Sequence, residues 1–115
     1  MLHLISEEAS ADLEEITDYF LSVSVGAGDA LWASKAERFV TEFDRKCLYL
    51  TQFLCIGKLY IELTSELRGI RLERYIVFYR VYSDRLSIVR IVNASRDLKK
   101  LFSESWSTVE PPPNP

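Results

Sequence analysis

Histidine occurs once in this chain of 115 residues, as His3, and cysteine twice, as Cys47 and Cys55. A single histidine excludes a zinc site built on several, and leaves any His-based triad with one base stranded near the start of the chain. The two cysteines stand eight residues apart, without the close pairing of a redox or zinc motif, and read as core thiols. No run approaches the roughly 18 apolar residues of a membrane span, so no membrane role is expected. The opening MLHLISEEAS also lacks the basic flank and long apolar run of an export signal, which sets the expectation at the cytoplasm.

What is present is the composition of a globular protein, 48% hydrophobic and 27% charged. A chain of this length fits one domain that buries about two-thirds of the surface exposed on unfolding. Its net charge of −3 hides a division. Met1 to Glu66 carries 5 basic and 12 acidic residues, whereas Leu67 to Phe102 carries 9 basic and 3 acidic. Such polarity suits a domain with one acidic and one basic surface, the latter able to steer an acidic partner.

Hydrophobic periodicity divides the chain. LHLI is a short strand, and Ser6 caps the helix that follows, with Glu7 and Glu8 where the helix dipole favours anions. Leu13, Ile16, Phe20 and Val23 give that helix an apolar face; Gly26 and Gly28 end it, and Asp29 caps the next. From Ala30 to about Phe53, the series Trp32, Ala36, Phe39, Phe43, Cys47, Leu50 and Leu54 steps by three and four, predicting a long helix antiparallel to the first. CIGKLYIELTSE is a mixed connection with a brief extended piece at Leu59 to Leu63.

The period then changes to two. A two-residue turn at Ser83-Asp84 pairs Val81 with Leu86, Tyr79 with Ile88 and Val77 with Arg90. Tyr75, Val77, Tyr79, Val81, Leu86, Ile88 and Val92 form an apolar face for the helical hairpin. The opposite face carries Arg80, Tyr82, Arg85 and Ser87 beside Ile76, Phe78, Val89 and Ile91, so part of it needs a cover, from a terminal helix or from a partner. ASRDLKKLF begins a last helix with Leu98, Leu101 and Phe102 on one side. The residues from 103 to 115 form a polar, Pro-rich tail expected to be flexible, with Trp106 the one residue that could dock. The expected fold is therefore α+β: an N-terminal strand, an antiparallel helical hairpin packed on an antiparallel sheet, and a short C-terminal helix, all in one domain over 1–102.

With ASADLEEITDYF in the first helix, Gly57 ahead of the sheet, LRGIRLERYIVFYRV across two strands and IVRIVNASRDLKKLF at the end, the chain resembles the RelE/ParE superfamily of bacterial toxin–antitoxin systems. Within it, the chain is most similar to the ParE branch. The RelE branch cuts messenger RNA in the ribosome, while the ParE branch poisons DNA gyrase without breaking bonds itself. Where RelE-type enzymes have a late tyrosine this chain aligns Phe102, and where they place an arginine in the central strand it aligns Ile76. RNA cleavage needs a proton acceptor, cations and a proton donor. Arg68, Arg71, Arg74, Arg90 and Arg96 supply cations, but arginine holds its proton too tightly for acid–base work, leaving Tyr75, Tyr79 and Tyr82 as possible substitutes.

The resemblance thus implies a non-enzymatic toxin, with DNA gyrase and a cognate antitoxin as partners. No metal, cofactor or direct specific nucleic-acid binding is expected. The candidate partner-binding residues are Arg68, Arg71, Arg74, Arg80, Arg90, Arg96 and Phe102. Arg90 falls on the apolar face of the expected hairpin, so it either pairs with a buried acid or marks a functional opening. The alternatives are a ribosome-dependent messenger endonuclease and an inactive member that only binds its antitoxin.

Overall fold

Ser6 converts a strand into a helix. Its amide donates to the Ile88 carbonyl at 2.9 Å, continuing the pairing of β1 (Leu2–Ile5). Its hydroxyl accepts the Ala9 amide at 3.0 Å and donates to the Val89 carbonyl at 3.0 Å. One short polar side chain therefore caps α1 (Glu7–Ala27) and fastens the cap to the sheet. The structure, a computed structural model, describes residues 2–27, 30–61, 63 and 66–105, with backbone only at 24–27, 30–33 and 102–105. Gly28, Asp29, Trp106 and the rest of the expected tail lie outside the described residues. Gly26 does not end the first helix, which continues to Ala27.

The long apolar stripe forms α2 (Ala30–Gln52), with Ala36, Phe39, Phe43, Cys47 and Leu50 buried along it. Trp32 belongs to the stripe, but its side chain is not among those described. After α2 come β2 (Lys58–Leu59), β3 (Arg68–Leu72), β4 (Tyr75–Val81), β5 (Arg85–Asn93) and α3 (Leu98–Ser105). The expected extended piece at Leu59 to Leu63 is thus only the two-residue β2. The strands form one five-stranded sheet in the order β1-β5-β4-β3-β2. β1 runs parallel to β5 and the other pairs are antiparallel, so the sheet is mixed. About 80 residues, including both long helices, separate β1 from β5, ample chain for the crossover that a parallel pair needs.

The hairpin pairs Val81 with Leu86 and Tyr79 with Ile88 as its turn predicts. Beyond that point the register slips: Phe78 opposes Arg90 and Val77 opposes Ile91. A bulge gives β5 one more residue than β4 over this stretch, which moves every later side chain to the other face. The expected pairing of Val77 with Arg90 is therefore corrected, and Ile91, not Val92, joins the face under the helices. Val92 packs on the opposite face with Leu67, Ile76, Phe78 and Val89. Tyr60, Leu63, Leu98 and Leu101 cover that second core. Burial on both faces explains why Arg80 and Ser87 are enclosed rather than outward.

The two cysteines separate. Cys47 is buried in the first core, but Cys55 is exposed, against the expectation of two core thiols, because it follows the last turn of α2 into a surface loop. Burial pushes the Cys47 thiol up to about 12, and the Asp44 charge adds in the same direction. A folded-state value above the unfolded one favours the folded protein at low and neutral pH; this contribution fades as pH rises from 9.0 towards about 12. Thiol labelling of the native protein at pH 8 should modify Cys55 alone, with Cys47 reacting only after unfolding.

Candidate functional site

The arginines of the basic third fall into three environments. Arg80 is fully buried. Arg90 is nearly so: its guanidinium donates through Nε and Nη2 to the two Asp12 oxygens at 2.7 and 3.2 Å. The same carboxylate accepts the Ile91 amide at 2.9 Å. That amide lies where β1 has ended and α1 begins, so a helix side chain replaces the missing strand partner. The open choice over Arg90 is thereby decided for the buried acid, which the sequence reading had not named.

Arg68 ties down a loop. Its Nη1 donates to the Gly57 carbonyl at 2.9 Å and the Cys55 carbonyl at 3.2 Å. Opposite it in the ladder, the Tyr79 hydroxyl donates to the Leu54 carbonyl at 3.0 Å and accepts the Gly57 amide at 2.9 Å. Burial pushes this phenol above its ordinary value, while the Gly57 bond and the Arg68 charge pull the other way. Tyr75 is also raised, chiefly by burial. Tyr82 stacks under Arg85, whose guanidinium carbon lies 4.2 Å from the ring centroid. Proton transfer from solvent would thus meet one enclosed phenol, one half-buried phenol and one covered by a cation.

Arg71, Arg74 and Arg96 are exposed. Arg71 donates through Nε to the Glu73 carbonyl at 2.7 Å, and the Ala94 amide donates to the Arg74 carbonyl at 2.9 Å. The second bond joins the β3–β4 turn to the segment leaving β5. These three residues consequently share the sheet end where β3 turns into β4 and β5 runs out. Asp97 starts α3 just beyond, its carboxylate accepting the Lys100 amide at 3.2 Å. Phe102 lies within α3, and its side chain is outside the described set.

The sequence reading missed two cations that approach this end from the helical side. Lys35 and Arg38 on α2 join Arg74 around a cavity of about 390 Å³, although they belong to the acidic two-thirds of the chain. Their three-residue spacing on a helix was a visible sign of a shared face. Among the described residues no cluster of three or more His, Cys, Asp or Glu could hold a metal ion, and no helix is long and apolar enough to cross a membrane.

A helical hairpin on one face of a mixed sheet, a small helix under the other and arginines gathered at one sheet end define a small α+β domain with one basic end. The chain belongs to the ParE toxin family of the type II toxin–antitoxin system parDE, whose model matches residues 4–98. A solved structure titled as the chromosomal ParDE toxin–antitoxin system from P. aeruginosa shares the fold. Its TM-score is 0.64 at 22% identity, over 81% of this chain and 95% of that one. No curated protein sequence matches significantly.

Proposed function

We propose that this chain is a toxin that inhibits DNA gyrase by binding it in the cytoplasm, without breaking covalent bonds, and that a cognate antitoxin neutralises it. The carrying observation is the fate of the groups that a nuclease would need. The Tyr79 hydroxyl is committed to Leu54 and Gly57, and burial raises its pKa, disfavouring the phenolate that a general base would need. Arg68 and Arg90 serve the fold, leaving Arg71, Arg74 and Arg96 as exposed cations. Guanidinium groups on a rigid sheet end suit carboxylate or phosphate recognition more than acid–base chemistry.

The acidic α1 surface, with Glu7, Glu8, Glu14, Glu15 and Asp18 exposed, disfavours bare DNA as a ligand. Contact with DNA would then arise inside a gyrase complex. Induction in growing bacteria should produce DNA damage and filamentation while bulk message stays intact. Rapid message loss with site-specific cuts, removed by Arg71→Ala in a chain that still folds, would instead establish the ribosome-dependent endonuclease. An inactive member that only binds its antitoxin would instead be harmless when expressed without that partner.

A further inference from the structure

Four elements meet at the cavity beside Arg74: the C-terminal half of α1, the N-terminal half of α2, the β3–β4 turn and the adjoining strand ends. Its cations are Lys35, Arg38 and Arg74, set against a single acid, Glu73. Arg45, Arg85 and Arg90 each have a carboxylate partner, whereas neither Arg38 nor Arg74 forms an ion pair among the described residues. Two guanidinium groups from separate elements therefore face one space with an excess of positive charge, an arrangement that an arriving anion relieves.

The remaining wall is aromatic. Tyr19 meets Phe20 with centroids 5.9 Å apart, Phe20 meets Phe39 at 6.0 Å, and Phe39 meets Tyr75 edge-on at 5.3 Å. Phe39 is buried, so this surface is anchored in the core, while Tyr19 is 57% exposed and open to a visitor. Glu73 sits on the rim, its φ of 55° being the left-handed conformation that the two-residue β3–β4 hairpin turn calls for.

From this combination we infer that the cavity is a docking site for a partner protein's acidic peptide segment, one carboxylate on Arg38 and Arg74 with a neighbouring aromatic or aliphatic side chain against Tyr19 and Tyr75. A monoanion fits better than a phosphate dianion because Glu73 occupies the same wall. The choice of a peptide as carrier rests on the reading of the chain as a toxin held by an antitoxin; the preference for a carboxylate beside an apolar group does not.

The test is an NMR titration of the isotope-labelled full chain with N-acetyl-Phe-Glu-amide, with N-acetyl-Phe-Gln-amide and with inorganic phosphate. The acidic dipeptide should shift the amides of Tyr19, Arg38, Arg74 and Tyr75, and bind roughly fivefold more tightly than the neutral one at low salt. Arg38→Gln with Arg74→Gln should abolish that preference while the rest of the spectrum is kept, and Arg45→Gln should leave it intact. Equal binding of both dipeptides, shifts scattered over the surface, or binding of phosphate alone would overturn the inference. None of these arms involves gyrase or an antitoxin, so a failed titration leaves the toxin reading standing, and a failed gyrase assay leaves the titration interpretable.

Discussion

Asp12→Ala is expected to lower the unfolding free energy by about 3 to 5 kcal/mol, because it leaves a buried guanidinium without its counter-charge. The Asp12 and Arg90 side chains are only 11% and 14% exposed, so water cannot replace the carboxylate freely. The loss includes the Ile91 amide, which the same oxygen satisfies. Removing both charges with Asp12→Leu and Arg90→Met should recover most of the stability, since the desolvation cost of the ion pair disappears with it. Urea denaturation of the wild type, the single variant and the double variant measures all three. A loss below about 1 kcal/mol for Asp12→Ala would mean that the pair behaves like a surface salt bridge and does not anchor α1 to β5.

Gly57→Ala carries the second large effect. A Cβ there would lie 2.5 Å from the Tyr79 hydroxyl oxygen, 2.8 Å from the Tyr79 ring and 2.9 Å from the Gly69 carbonyl. Neither neighbour can retreat: Tyr79 is buried and bonded at its tip, and the carbonyl belongs to β3. The loop must move, breaking its bonds to Tyr79 and weakening those to Arg68. Overpacking of this kind costs about 1 to 3 kcal/mol, and each buried polar group left unpaired adds a further 1 to 3 kcal/mol or so. Tyr79→Phe separates the two contributions, since it removes the hydroxyl and keeps the ring, so its smaller loss reports the hydrogen bonds alone. If Gly57→Ala matched wild type in thermal denaturation, the close approach would not be a constraint in solution.

Much of the fold was legible because its signals are local. The α2 stripe from Ala36 to Leu50 repeats at helical spacing, and Ser6 stands where a cap belongs, so both helices and the first strand follow from short windows of sequence. The turn at Ser83-Asp84 likewise fixed the β4–β5 pairing from Val81–Leu86 to Tyr79–Ile88. The bulge beyond them had no comparable sign: Val89 and Arg90 look like ordinary strand residues, and only the competition between Ile91 and Val92 for the helical face decides the register.

Legibility falls further where contacts are distant. Asp12 and Arg90 are 78 residues apart, and nothing in the neighbourhood of either marks the other. Both Arg80 and Arg90 are candidate partner-binding residues in the sequence, yet a sheet covered on both faces takes Arg80 inside, and an acid on α1 closes the choice left open for Arg90. Conversely, Lys35 and Arg38 lie in the acidic part of the chain, although helix geometry carries them to the basic sheet end. Segment charge describes composition; the face a charge occupies depends on the register and on which elements cover it.

The central claim is that this fold acts by holding gyrase rather than by cutting RNA, and purified gyrase tests it most directly. Relaxed plasmid, gyrase and ATP would be incubated with and without the protein, and both supercoiling and trapped cleaved complexes scored. The account predicts loss of supercoiling with accumulation of cleaved complexes. Unimpaired supercoiling at high protein excess, with the chain shown to be folded, would contradict it.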